Sequence, residues 1–143
     1  MRPLPHAITS FAASLVVYSW LDSLLAAIIC FLGGTLIDLD HIPEYLSIKN
    51  REFSLKALYY SNIVKDKERI YIVFHSFELV FLLWLMILLF EFNLFWTAFA
   101  IGITMHLVFD LFRNPIASPG AYFFLYRLSR GFKGSLLFKI PKS

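Results

Sequence analysis

Asp38-Leu39-Asp40-His41 sets two carboxylates and an imidazole side by side at the end of a long apolar run. Such side chains ligate divalent ions and move protons. Near hydrocarbon they are costly unless paired, solvated or bound to a metal. Further along the chain, His106 and Asp110 stand at i,i+4 and therefore share a helix face, a spacing by which one helix presents two metal ligands. His75 and Glu78 stand at i,i+3 and would share a face in the same way. With His6 the chain offers four imidazoles and up to four carboxylates. Zinc prefers such nitrogen and oxygen donors, and carboxylate-rich surroundings also suit manganese or iron. His41, His75, His106, Asp40 and Asp110 are the first ligand candidates, with His6 and Asp38 next, for one or two ions. A carboxylate left uncoordinated, Glu78 or Asp38, would accept a proton from metal-bound water.

Each residue also has a plainer reading. A lone histidine at a membrane interface is more often a satisfied polar residue, and His106 with Asp110 is as readily a hydrogen-bonded pair anchoring a helix end. Glu78 could bond a neighbouring helix or orient a ligand imidazole, and Asp38 could simply face water. The combination carries more weight than any member.

The elements that must bring these residues together are apolar helices. The 143 residues leave room for one domain; 59% are hydrophobic and 18% aromatic, and the mean hydropathy is +0.69. This composition describes an all-α, polytopic membrane protein. The net charge of +3 then points to anionic lipid headgroups as partners, and not to nucleic acid. A single cysteine, Cys30, excludes a disulfide framework and a cysteine zinc site. The positive start followed by apolar residues has the outline of a signal peptide, but no small-residue cleavage site follows, so the segment is expected to be retained.

The apolar stretch Ala7 to Ile37 would reach roughly 45 Å as one helix, against a hydrocarbon core of about 30 Å. A hairpin is expected instead, with helices over Ala7 to Tyr18 and Ser23 to Ile37 and Asp22 capping the second. A polar loop over 42–69 follows, with a short surface helix around Phe53 to Tyr60. A third helix is expected over Ile70 to Phe90, a turn at Glu91-Phe92-Asn93, and a fourth helix over Leu94 to Phe112, ended by Asn114-Pro115. The tail, 116–143, spaces Tyr122, Phe123, Tyr126 and Arg130 as an amphipathic segment resting on the membrane until Gly131 and Gly134 interrupt it.

Alternating helix directions then place all thirteen Lys and Arg and all four histidines on one side, leaving Asp22 and Glu91 opposite. The positive-inside rule makes the histidine side cytoplasmic, in the cell (inner) membrane.

An early His6, the helix end Asp38-Leu39-Asp40-His41, His75-Ser76 opening an apolar helix, and His106-Leu107-Val108-Phe109-Asp110 together resemble the YdjM-like family of predicted membrane-bound metal-dependent hydrolases. The likeness runs from about His6 to Pro115. Ile37 stands where that family usually has Pro, and the His-Arg pair often found before the later histidine is missing, Arg69 being the nearest basic residue. The resemblance implies metal binding and hydrolysis. The His-x-x-x-Asp motif is also similar to one used by zinc-dependent phospholipase C, which points to phosphoester bonds, and the expected place of the site, at headgroup depth beside basic loops, makes a lipid phosphoester the expected substrate. Two rivals remain. A metal transporter or sensor needs polar groups leading to both faces, and the far side offers few; a metal that only staples the helices requires no turnover.

Overall fold

The first helix shows what solvent this chain is built for. α1 (Pro3–Leu21) buries His6, Ser10, Ala13, Ser14 and Val17, while Leu4, Ile8, Phe11, Leu15 and Val16 point outward. Polar side chains line the inside and large apolar ones the outside, the reverse of a helix in water, and lipid is the medium that accepts such a face. The computed structural model describes residues 3–48 and 68–139. Within these, three helices are long and apolar enough to cross a membrane: Leu4–Leu21, Leu24–Leu46 and Leu94–Arg113.

The hairpin forms as expected, with changed boundaries. α1 starts earlier than Ala7 because Pro3 and Pro5 sit in the first turn, where the missing N–H groups have no intrahelical partner to lose. Ser23, not Asp22, caps α2 (Leu24–Leu36), its hydroxyl accepting from the Ala26 amide at 3.3 Å. Asp22 takes the left-handed turn position instead, at φ 45°. α2 runs on through a 3₁₀ turn (Ile37–Asp40) into the short α3 (His41–Leu46). The surface helix expected around Phe53 to Tyr60 lies outside the described residues.

The third helix is shorter than its apolar pattern. α4 spans Phe77–Leu89, roughly 20 Å and so less than a hydrocarbon core. Residues 70–76 run irregularly because the tail supplies their backbone partners: the Ile70 amide donates to the Phe132 carbonyl at 2.9 Å, and the Ile72 and His75 carbonyls accept from Arg127. The chain then reverses through Glu91 (φ 49°) into α5 (Leu94–Arg113), capped by Asn93.

The tail folds back over this segment. A 3₁₀ turn (Pro119–Tyr122), α6 (Phe124–Ser129) and α7 (Gly134–Leu137) follow α5. Tyr122, expected on the membrane surface, is buried with Ile70, Ile72, Leu137 and Phe138. Gly134 opens a helical turn, whereas the break expected at Gly131 occurs there, at φ 59°. Phe123, Leu125 and Leu128 remain exposed and keep an apolar outer face on the tail.

α2 and α5 pack most intimately, through small residues that let the two backbones approach. A Cβ on Gly102 would lie 2.1 Å from the Cys30 carbonyl oxygen, and one on Gly34 would lie 2.4 Å from Ser10 Oγ. A Cβ at Gly102 would push against backbone, and one at Gly34 would require Ser10 to shift.

Candidate metal centre

Four separate stretches deliver the site. His6 comes from the first turns of α1, Asp38 and His41 from the 3₁₀ turn and its junction with α3, His75 from the irregular segment before α4, and His106 with Asp110 from the last turns of α5. Asp38 Oδ1 lies 3.6 Å from His41 Nε2, 3.4 Å from His75 Nε2 and 3.4 Å from His106 Nε2. Asp110 Oδ2 lies 3.7 Å from His75 Nε2 and 3.8 Å from His106 Nε2, while its Oδ1 is 3.2 Å from His6 Nε2. The rings themselves pack together. His6 stacks on His106 at 4.3 Å between centroids, and His41 and His75 are 4.7 Å apart.

The protonation pattern follows from the outer partners. His106 Nδ1 is 2.6 Å from the Gly34 carbonyl oxygen, which can only accept. Nδ1 therefore carries the hydrogen, and in the neutral ring Nε2 turns a lone pair toward the centre. His75 repeats the arrangement: Nδ1 faces the Asp40 carboxylate at 3.0 and 3.1 Å, and Asp40 is itself held by the Phe74 amide at 3.0 Å. A carboxylate or carbonyl behind a histidine, fixing which nitrogen is free, is the usual support of a metal-ligating imidazole. Burial pushes the His75 imidazole down, but the carboxylates of Asp38 and Asp40 more than offset this and raise it to about 9, so an ion taken up at Nε2 would have to displace a proton.

The central atoms lack ordinary partners. His75 Nε2, His106 Nε2, both nitrogens of His41, Asp38 Oδ1 and both oxygens of Asp110 are buried without a hydrogen bond. His75 and His106 are 2% exposed and Asp110 0%. Buried polar atoms left unpaired are destabilising, and so many at one point call for a ligand. Donors 2.0–2.1 Å from a tetrahedral ion stand roughly 3.4 Å from one another, close to the separations here. Two groups have the required mutual spacing, His6 with His106 and Asp110, and Asp38 with His41 and His75.

The structure thus gathers His6, Asp38, His41, His75, His106 and Asp110. Asp40 stands behind His75 and outside both groups. Glu78 is not brought to the centre. It lies in the first turn of α4, not two turns in, and does not share a helix face with His75, which precedes the helix. Its carboxylate accepts from the Ser76 hydroxyl at 2.6 Å and from the Phe124 and Leu125 amides at 2.8 and 3.0 Å. Those amides open α6, so Glu78 ties the tail to α4.

Three supporting groups escape a sequence reading. The Gly34 carbonyl could be sought only through the glycine pair in an otherwise bulky apolar helix. Arg127, 2% exposed, looks like one more tail cation, yet its guanidinium donates to the His75 carbonyl at 3.1 Å and to that of Ile72. Tyr122 accepts from the Asn114 amide group at 2.6 Å and reaches the Asp110 carbonyl at 3.4 Å, bracing the end of α5.

Comparison of the chain with protein-family models, with curated proteins and with solved structures gives no match. The reading of the centre therefore rests on its own geometry.

Proposed function

We propose that this chain is a membrane-embedded, metal-dependent hydrolase that cleaves a lipid phosphoester at the cytoplasmic face of the cell membrane. The observation that carries the reading is the convergence of unpartnered, buried imidazole and carboxylate atoms at the end of the apolar helices. The motif likeness to the YdjM-like family points the same way. Zinc suits the donor set best, with manganese or iron as alternatives.

His6, Asp38, His41, His75, His106 and Asp110 would hold a divalent ion, which would supply Lewis acidity to lower the pKa of a bound water and polarise a phosphoryl oxygen. Asp38 is the carboxylate positioned to take the water proton. Its Oδ1 faces the imidazoles as a ligand, while the side chain as a whole stays 21% exposed, so its second oxygen would take the proton. The water oxygen bonds to phosphorus, the ester P–O bond breaks with its electron pair passing to the departing alcohol oxygen, and the proton held on Asp38 completes that alcohol. The basic flanks favour an anionic headgroup. A cavity of about 710 Å³, walled by Leu36, Leu39, Pro43, Val73 and Phe74, lies beside Asp40 and suits an acyl chain.

Elemental analysis of purified protein tests the reading, with His41→Ala and His106→Ala alongside. Wild type should carry stoichiometric transition metal and release product from a panel of phospholipids, and both variants should carry less metal and lose turnover. Wild type without bound metal even after reconstitution would refute it. The near-complete burial of His106 and Asp110 favours a second reading, a metal-binding membrane protein without hydrolysis, in which metal is retained and no lipid is cleaved.

A further inference from the structure

The geometry points to a centre that holds two ions bridged by Asp110, a dinuclear site whose ligand is the phosphoryl oxygen pair of a phosphoester. This deepens the metal-binding reading and rests on it. One tetrahedral ion would be satisfied by Asp38, His75, His106 and Asp110, whose oxygen–nitrogen separations are 3.4, 3.4, 3.7 and 3.8 Å. That arrangement strands the remaining donors. His41 would keep both ring nitrogens buried without a partner, and Asp110 Oδ1 would remain unpaired beside His6.

Two ions bring in His41 through Nε2, together with His6 and Asp110 Oδ1, and of these donors leave only the outer Nδ1 atoms of His6 and His41 without a partner. One takes His6 Nε2, His106 Nε2 and Asp110; the other takes Asp38 Oδ1, His41 Nε2 and His75 Nε2. Asp110 faces both groups, with Oδ1 toward His6 and Oδ2 toward His75 and His106. Asp38 Oδ1 likewise stands as near to His106 of the first group as to His75 of its own, at 3.4 Å. A carboxylate with one oxygen beside the first ligand set and the other between the two sets, at 3.8 Å from His106 and 3.7 Å from His75, is placed to bridge them. Ion pairs about 3.5–4 Å apart clamp the attacking and leaving oxygens of an in-line displacement. Two divalent ions against Asp38 and Asp110 leave the centre positively charged, which selects an oxyanion over a neutral ester or amide.

The test uses the full chain in detergent, stripped with chelator, loaded with manganese(II) and freed of excess. Metal per chain is counted and the electron paramagnetic resonance spectrum recorded. Two ions per chain with an exchange-coupled spectrum are expected. His41→Ala should fall to one ion and lose the coupling, and inorganic phosphate added to wild type should change the coupled spectrum. One ion per chain in wild type, or two without coupling, overturns the bridged pair while the metal-binding reading stands. No bound ion overturns both. A coupled spectrum unmoved by phosphate overturns the oxyanion assignment. Because wild type alone decides the count, a misfolded His41→Ala protein does not blunt the result.

Discussion

Glu78 and Asp38 are both carboxylates at one end of the helices, yet their partners separate them. Asp38 faces three imidazoles, whereas Glu78 accepts from a hydroxyl and from two amides opening α6. The i,i+3 spacing to His75 is equally compatible with both roles, because it presumes a helix that begins only at Phe77. The two roles predict opposite phenotypes. Asp38→Asn should cut phosphate release by about 10²-fold or more and weaken metal binding, with the melt of the metal-free protein little changed. Glu78→Gln keeps its acceptor oxygen but loses the charge, so it should keep turnover and lower stability by about 1 kcal/mol. Equal loss of turnover in both variants, measured beside their melting curves, would return Glu78 to the chemistry.

At the scale of elements, the ligand residues were legible because their types are rare in an apolar chain, and the hairpins because charge and turn residues interrupt the apolar runs. The supports were not legible. A carbonyl such as that of Gly34 carries no side-chain signature, and Arg127 joins His75 across a separation that no periodicity reports. The segment 70–76 misled because its apolar residues serve a tail-facing core, and apolar runs alone do not distinguish that from a spanning helix. The α2–α5 contact shows how packing reaches the site. Gly102→Ala places a methyl where the Cys30 carbonyl already stands, so the two helices must separate. A cost of about 1–3 kcal/mol is expected from overpacking. The same separation lengthens the bond from His106 Nδ1 to the Gly34 carbonyl, which should weaken metal binding about 10-fold. Loss of stability with unchanged metal affinity, from melting and metal titration of the same variant, would show that this carbonyl does not orient His106.

Over the whole molecule, the site stands where the outward-facing lipid surface and the folded tail meet. α1, α2 and α5 expose large apolar side chains along their length, and hydrocarbon gives them no strong preference for one another; small residues and polar contacts must do that instead. His6, Asp38, His75 and Asp110 come from four stretches distant in sequence, so ions between them would join the ends of helices that the bilayer alone would leave free to splay. Without metal, the imidazoles and carboxylates stay buried and unsatisfied. An ion present at a thousandfold excess over its dissociation constant stabilises the state that binds it by about 4 kcal/mol, and chelation should therefore lower the melting temperature by on the order of 10 °C. Restoring zinc or manganese should recover the melt in wild type and recover less of it in His106→Ala, because that variant lacks a ligand of the Asp110 group. A melt indifferent to chelator in wild type would mean that the helices close around the cluster without an ion. The same titration followed by lipid turnover separates a staple from a catalyst: a staple regains its melt with no product released, and a catalyst regains both at the same metal equivalence.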